Sequence, residues 1–143
     1  MNLKFLLAFC FLCSLILTRS VTAQNNFDAF WTKFKSAVIK GDKAKVANLT
    51  KFPFSLGYDP SAKSGEGYIR TKTTFLRRYR IIFNGEVDVV KCFQNASPKK
   101  EGKAYSVACS FKQEPTGGDK PFVYSFTLTK LGWRFAGFEN VNE

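Results

Sequence analysis

The stretch FDAFWTKFKSAVIKGDKAKVANL, residues 27–49, decides how this chain folds. Its apolar residues recur at the i, i+3, i+4, i+7 and i+11 spacing of one helix face. These residues are Phe27, Phe30, Trp31, Phe34 and Val38. We predict a helix from Asn26 to Lys40, a stop at Gly41, and a second helix from Lys43 to Leu49 capped by Asp42. A helix face with so many aromatic residues must be buried against a large concave surface. A curved β-sheet can provide that surface.

The rest of the chain supplies that sheet. Pro53 favours a short edge strand from Phe52 to Leu56, because proline cannot donate to a central ladder. Turn-forming residues indicate a loop from Gly57 to Gly67, and apolar spacing predicts a third helix from Thr71 to Asn84. Alternating or β-branched runs predict four further strands in an antiparallel meander: Glu86 to Phe93, Lys103 to Lys112, Phe122 to Thr129 and Trp133 to Val141.

The alternation within these strands also predicts how they pair. The turn between the second and third meander strands places Cys109 opposite Phe126. A tight turn before the last strand places Leu128 opposite Phe135. Both pairings put apolar side chains on the same face of the sheet, as the pleat requires.

The N-terminus has the organisation of a secretory signal. Met1 to Lys4 is a short positive segment, and Phe5 to Thr18 is an apolar run shorter than the roughly 20 residues of a membrane-spanning helix. Small residues precede a cleavage point after Ala23. We expect residues 1–23 to be a signal peptide and residues 24–143 to form one secreted or periplasmic domain without a further membrane span. An uncleaved membrane anchor is one alternative. A lipoprotein is the other, but Phe9 and Leu12 stand where a small residue should precede a lipidated Cys10 or Cys13.

Charge and cysteine content fit an exported basic protein. Removal of Lys4 and Arg19 with the signal lowers the net charge from +11 to +9. A positive balance favours anionic partners, although many exported proteins are simply basic. The remaining cysteines, Cys92 and Cys109, are an even pair, and in an oxidising compartment we predict that they form a disulfide.

The chain contains no histidine. This absence excludes Ser-His and Cys-His nucleophiles, histidine acid–base catalysis and most transition-metal sites. Two cysteines without other ligands do not make a zinc site either. We therefore expect neither a metal nor a cofactor. The sequence carries no recognisable nucleic-acid motif, so we expect no nucleic-acid partner.

The order of elements resembles the NTF2-like superfamily, a cone-shaped α+β fold of the cystatin-like group. The resemblance is carried by FDAFWTKFKSAVIKGDKAKVANLTKFPF (27–54), TKTTFLRRYRIIF (71–83) and FTLTKLGWRFAGF (126–138). It implies three N-terminal helices packed on a curved antiparallel sheet, with a pocket at the open end of the cone. The family includes steroid isomerases, dehydratases and polyketide cyclases together with non-catalytic binding domains. Its members often dimerise through the sheet, so the resemblance also implies a homodimer as one option.

Two groups of residues are candidate contact sites. Tyr105, Tyr124 and Trp133 would line a ligand cavity, or pack on the first helix as core. Arg77, Arg78 and Arg80 lie on the polar side of the third helix and form either a basic binding site or a solvated helix face.

Catalysis would have to rest on a single carboxylate. Enzymes of the resembled family use a pocket aspartate or an Asp-His pair, and the pair is excluded here. An apolar interior would raise the pKa of a lone carboxylate towards neutrality. The candidates are Asp59, Asp88 and Glu139, each of which is also explained as a turn or surface residue.

These observations predict a non-enzymatic domain that binds a small apolar ligand or a protein partner. One alternative is an isomerase, dehydratase or cyclase of the same fold that uses one pocket carboxylate and a tyrosine. A second alternative is an inhibitor or immunity-type protein, which predicts a filled cone and an ordered, exposed loop from Gly57 to Gly67.

Overall fold

The computed structural model describes residues 26–57, 67–84, 88–110 and 122–140 of the 143-residue chain. The predicted signal peptide and residues 58–66 of the predicted loop lie outside the described residues. The described helices are α1 (Phe27–Ile39), α2 (Lys43–Asn48), α3 (Lys72–Asn84) and α4 (Val89–Asn95). The described strands are β1 (Thr50–Ser55), β2 (Tyr68–Ile69), β3 (Lys99–Glu101), β4 (Ala104–Cys109), β5 (Phe122–Thr129) and β6 (Gly132–Asn140). None of these helices has the length and apolar character needed to cross a membrane.

The helices α1 and α2 begin and end within one residue of their predicted bounds, and local signals explain where they do so. The side chain of Asn26 caps α1 by accepting a hydrogen bond from the backbone N–H of Asp28 at 2.9 Å. Gly41 follows that helix with a φ of 67°, a conformation that glycine adopts at little cost. Asp42 then accepts a hydrogen bond from the backbone N–H of Lys45 at 3.0 Å and caps α2.

The core lies between the helices and one face of the sheet, which we call the inner face. All five residues of the predicted α1 face are buried. From α3, four large side chains are buried in the same cluster: Phe75, Tyr79, Ile82 and Phe83. Tyr124, Phe126 and Phe135 contribute the inner face of β5 and β6. Burying a large apolar side chain stabilises a fold by about 1.5–3 kcal/mol, so this cluster is the main source of stability.

The sheet is mixed, which corrects the antiparallel prediction. Its strand order is β2-β1-β6-β5-β4-β3. β1 runs parallel to β6, and the other neighbours are antiparallel. β1 is also not an edge strand, because β2 pairs with it at Phe54 and Ser55. Pro53 lies just before those paired residues and is exposed, so its missing N–H does not interrupt that ladder.

The predicted strand from Glu86 to Phe93 is a helix from Val89 onward, and the described chain therefore has four helices instead of three. Asp88 caps α4 by accepting a hydrogen bond from the backbone N–H of Lys91 at 3.1 Å. Val89 and Phe93 are buried one turn apart, and the Phe93 ring lies 5.3 Å from Trp31 of α1. Valine-rich composition favours a strand, but packing against α1 outweighs that propensity here.

The predicted disulfide between Cys92 and Cys109 is present, with Cα atoms 5.7 Å apart. It joins α4 to the end of β4, whereas β4 pairs with β3 on one side and with β5 on the other. The bond therefore ties a short helix to the sheet.

The strand pairs have the predicted faces but different registers. Cys109 pairs with Phe122, four residues from its predicted partner, and Leu128 pairs with Trp133, two residues from its predicted partner. Both shifts are even, so the same side chains still face inward. The sequence pattern fixes the face of each strand, whereas the length of the connecting turn fixes the register.

Gly137 lies close to a register irregularity between β5 and β6, at a point where three strands approach one another. The pairing shifts between Ser125 and Phe126. A Cβ atom at Gly137 would lie 2.8 Å from Ser125 Oγ and 3.2 Å from the Cβ of Ser55. Glycine at this position therefore lets β1, β5 and β6 approach closely.

Candidate ligand-binding site

Aromatic rings fill the space between α1 and the inner face. The Phe34 side chain is fully buried, and its ring centroid lies 5.0 Å from that of Phe135 and 5.2 Å from that of Phe126. Trp31 contacts Phe126 at 5.6 Å. These are contact distances for aromatic pairs. This part of the interior is packed core.

Tyr124, one of the three predicted ligand contacts, lies deep in that core with no exposed surface. Its hydroxyl donates a hydrogen bond to the carbonyl oxygen of Ile82 in α3 at 2.9 Å. Its ring packs against Phe93 of α4 at 5.2 Å. Burial raises the pKa of the Tyr124 hydroxyl above its ordinary value. The side chain therefore joins the sheet to two helices.

The other two predicted contacts, Tyr105 and Trp133, lie together at the sheet end that is next to the start of α1. Phe27 stacks on Tyr105 with ring centroids 3.6 Å apart and meets Trp133 edge to face at 5.0 Å. The Tyr105 and Trp133 rings are 5.3 Å apart. Tyr105 is half-buried and Trp133 is buried. The three rings close this end of the core.

An open groove of about 420 Å³ lies beside these rings, between the β3–β4 and β5–β6 hairpins. We call it the hairpin groove. Leu128 is 46% exposed there, although the preceding inner-face residue, Phe126, is buried. Small-molecule sites typically measure about 300–1,000 Å³, so the groove has a suitable size. Its lining consists of Lys100, Gly102, Lys103, Thr127, Leu128 and Trp133.

Trp133 also borders a second groove of about 180 Å³. Leu131 is 68% exposed in this groove, and the Arg134 guanidinium donates a hydrogen bond to the carbonyl oxygen of Trp133 at 2.7 Å. Its lining consists of Ala29, Phe30, Lys33, Leu49, Leu131, Trp133 and Arg134. Exposed apolar side chains and cations therefore meet on both sides of Trp133. A further groove, of about 360 Å³, runs along Trp31 and Ile39 on the outer side of α1.

The three acidic residues considered for catalysis fall in different places. Asp88 is exposed and caps α4, and Glu139 is exposed on β6. Asp59 lies outside the described residues. Among the residues that the structure describes, no carboxylate is buried. Across the same ranges, no three His, Cys, Asp or Glu side chains group closely enough to hold a metal ion.

The predicted basic residues Arg77, Arg78 and Arg80 are all exposed on α3. We call this surface the α3 basic face. The sequence of α3 contains no acidic residue, and none of the three arginines forms an ion pair with a described residue. Ile81 lies beside them and is 66% exposed. The face is therefore positively charged with one apolar side chain.

Tyr79 on α3 is a buried polar residue whose environment the sequence does not reveal. It is 2% exposed, and its hydroxyl has no hydrogen-bond partner among the described residues. Burial, followed by the charge of Asp42, raises the pKa of Tyr79 to about 12. The Lys43 ammonium lies 5.7 Å from the centre of its ring. Helical spacing predicts the burial, whereas the missing partner depends on how α2 meets α3.

Sequence reasoning did not select Lys100, Lys103 or Leu128 as site residues. Lys100 lies opposite Tyr105 in the β3–β4 pair, and this pairing is what brings it to the groove. Leu128 continues the inward alternation of β5, but it is exposed whereas Phe126 is buried. The sequence carries no local signal for either feature.

No protein-family model matches this sequence, and no curated protein matches it at a significant level. Among solved structures, the chain is similar to an NTF2-like protein of unknown function from Cytophaga hutchinsonii ATCC 33406. The two chains are 10% identical, the match covers 81% of this chain and 88% of the other, and the TM-score is 0.43. The described order of helices and strands agrees with the α+β arrangement that the sequence resemblance implied, apart from α4 and the parallel β1–β6 pair.

Proposed function

We propose that this protein is an exported, non-catalytic binding domain whose ligand is a small molecule with an apolar body. The observation that carries the proposal is the hairpin groove, an open space of about 420 Å³ lined by Leu128 and Trp133 next to a packed aromatic core. Concave, largely apolar sites with a few polar groups are typical of small-molecule binding.

The strand pairing explains how the groove would hold such a ligand. Leu128 and Trp133 are direct partners in the β5–β6 ladder, so their side chains are neighbours on one face. Behind them, the stacked rings of Phe27 and Tyr105 support the site. A bound apolar group would remove the exposed part of Leu128 from water, which favours binding by about 25 cal/mol per Å² of apolar surface.

The export part of the proposal is supported by the predicted signal peptide and by the disulfide between Cys92 and Cys109. Disulfides persist in oxidising compartments and are rare in the cytosol. A secreted or periplasmic location is consistent with both features.

Two alternatives predict different results. An enzyme with one pocket carboxylate would now depend on Asp59, because Asp88 and Glu139 are exposed. The test is turnover of a ketosteroid or a related carbonyl compound. If the wild type turns this compound over and an Asp59→Asn variant binds it equally well without turnover, the enzyme replaces our proposal.

An inhibitor or immunity-type protein is the second alternative. It predicts a filled interior, which the packed rings between α1 and the sheet match, and a contact loop of which residues 58–66 lie outside the described residues. Such a protein would bind its partner through an exposed surface such as the α3 basic face, and small apolar molecules would not compete with that partner.

Nile red, a neutral apolar dye, tests the site directly. We expect saturable fluorescence enhancement with the wild-type protein and an affinity about fivefold lower for Leu128→Ser, because a partly exposed leucine contributes on the order of 1 kcal/mol of apolar contact. Ile81→Ser is the matched control, since Ile81 is an exposed apolar residue on α3. Equal dye affinity in the wild type and both variants would exclude the hairpin groove as the site.

A further inference from the structure

We infer that the ligand of the hairpin groove carries an anionic group beside its apolar body, as a medium-chain carboxylate or a related acidic amphiphile does. The inference rests on the proposed function and specifies its ligand class. It depends on where the charges around the groove lie.

The cations point to the groove side of the sheet. Lys100 lies directly opposite Tyr105 in the β3–β4 pair, so both side chains share a face, and Tyr105 faces inward against Phe27. Lys103, in the turn of the same hairpin, also lines the groove. Of the described residues that line it, two are lysines and none is acidic.

The nearest carboxylate in the hairpin is directed away. Glu101 is adjacent to Lys100 in β3, and side chains of successive strand residues point to opposite faces. The Glu101 carboxylate lies 3.5 Å from the Lys99 ammonium. Its charge is therefore balanced on the other face, and the charges of Lys100 and Lys103 remain available to a ligand.

The second groove extends the same pattern. It shares Trp133 with the hairpin groove, and Lys33 and Arg134 contribute cations to its lining. Apolar side chains at the centre and cations around them match a molecule with an apolar chain and an acidic end. A neutral ligand would make the apolar contacts and would gain nothing from the positive charges around them.

Three ligands of equal chain length separate these contributions: decanoate, decanol and decylamine. At pH 7.5 the first is negative, the second neutral and the third positive. We expect affinity to fall in that order, measured by calorimetry or by the fluorescence of Trp133 in a Trp31→Phe background. Raising the salt concentration is expected to weaken decanoate binding and to leave decanol binding unchanged or stronger.

A double variant, Lys100→Gln with Lys103→Gln, tests the assigned cations. Each exposed ion pair contributes modestly, so we expect decanoate affinity to fall by roughly twofold to twentyfold while decanol affinity stays the same. The control is Lys40→Gln with Lys51→Gln, which removes two exposed charges elsewhere. It is expected to leave decanoate affinity close to that of the wild type.

The outcomes distinguish the two proposals. Equal affinities for decanoate and decanol, with equal salt dependence, would overturn the anionic ligand and leave the binding function standing. Equal losses of decanoate affinity in both double variants would show a general charge effect and would also overturn the inference. Failure of all three ligands and of Nile red to bind would remove the proposed function itself.

Discussion

Two buried tyrosines show how tertiary structure sets the role of a residue. The hydroxyl of Tyr124 donates a hydrogen bond to the carbonyl oxygen of Ile82, whereas the hydroxyl of Tyr79 has no partner among the described residues. Both rings belong to the same core. A buried hydroxyl without a hydrogen bond carries a desolvation cost that a paired hydroxyl recovers.

Tyr124→Phe is therefore expected to lower the free energy of unfolding by about 1 kcal/mol, because it removes the hydrogen bond to Ile82 and keeps the ring. Urea unfolding followed by circular dichroism measures the change. Tyr79→Phe is the matched control and is expected to leave stability unchanged or to raise it. The reverse order of the two variants would contradict the hydrogen-bond assignment.

Alkaline pH should destabilise the fold through Tyr79. Its pKa is about 12 in the folded protein and near 10 in the unfolded chain. Between these pH values the unfolded chain releases a proton that the folded protein keeps, so the free energy of unfolding falls as pH rises above 10. Urea titrations from pH 9 to pH 12 should show a steeper fall for the wild type than for Tyr79→Phe. Parallel curves for the two proteins would rule out this contribution.

At the scale of elements, capping residues are more informative than composition. Asn26, Asp42 and Asp88 each accept a backbone hydrogen bond at the start of a helix. The first helix was predicted from its periodicity and from the stop at Gly41, and the second from the cap at Asp42, whereas the cap at Asn26 was not predicted. The third cap, Asp88, precedes a valine-rich segment. The strand propensity of that segment led to the wrong prediction of a strand there.

Asp88→Ala is expected to lower the free energy of unfolding by about 1 kcal/mol, because the backbone N–H of Lys91 loses its partner. Asp88→Asn keeps an accepting oxygen and is expected to stay within a few tenths of a kcal/mol of the wild type. Thermal or urea unfolding distinguishes the two. If asparagine destabilises as much as alanine does, the charge of Asp88 has a role beyond capping.

At the scale of the whole molecule, positive charge is distributed unevenly. The hairpin groove and the α3 basic face both lack a described acidic partner, whereas Lys99 is paired with Glu101. A concentrated set of cations binds anionic polymers more strongly than the same charges spread apart.

A triple variant with Arg77→Gln, Arg78→Gln and Arg80→Gln should unfold within about 0.5 kcal/mol of the wild type, because these side chains are exposed and form no described ion pair. On a heparin column it should elute at lower salt than the wild type. The matched control replaces three exposed lysines on separate elements with glutamine: Lys40, Lys51 and Lys91. Identical elution of the two triple variants would show that α3 has no anion-binding role of its own.

The sequence by itself determined the inward faces, because a helix or strand that is half buried must repeat its apolar residues at its own period. This rule predicts the buried face of the helix from Phe27 to Val38 and the inward side chains of β5. The stop at Gly41, the cap at Asp42 and the cysteine pair are also local or compositional signals.

Only the tertiary structure decided the rest. The strand registers predicted from the turns were wrong, because a shift of two or four residues keeps every side chain on its face and the apolar pattern cannot distinguish such registers. Asp88 offers a local cap for α4, but the valine-rich segment favours a strand, and the contact of Phe93 with Trp31 joins residues that are far apart in the sequence. The hairpin groove lies where Leu128 is exposed and where Lys100 pairs opposite Tyr105. Such features depend on which distant residues meet, and periodicity along one element does not encode them.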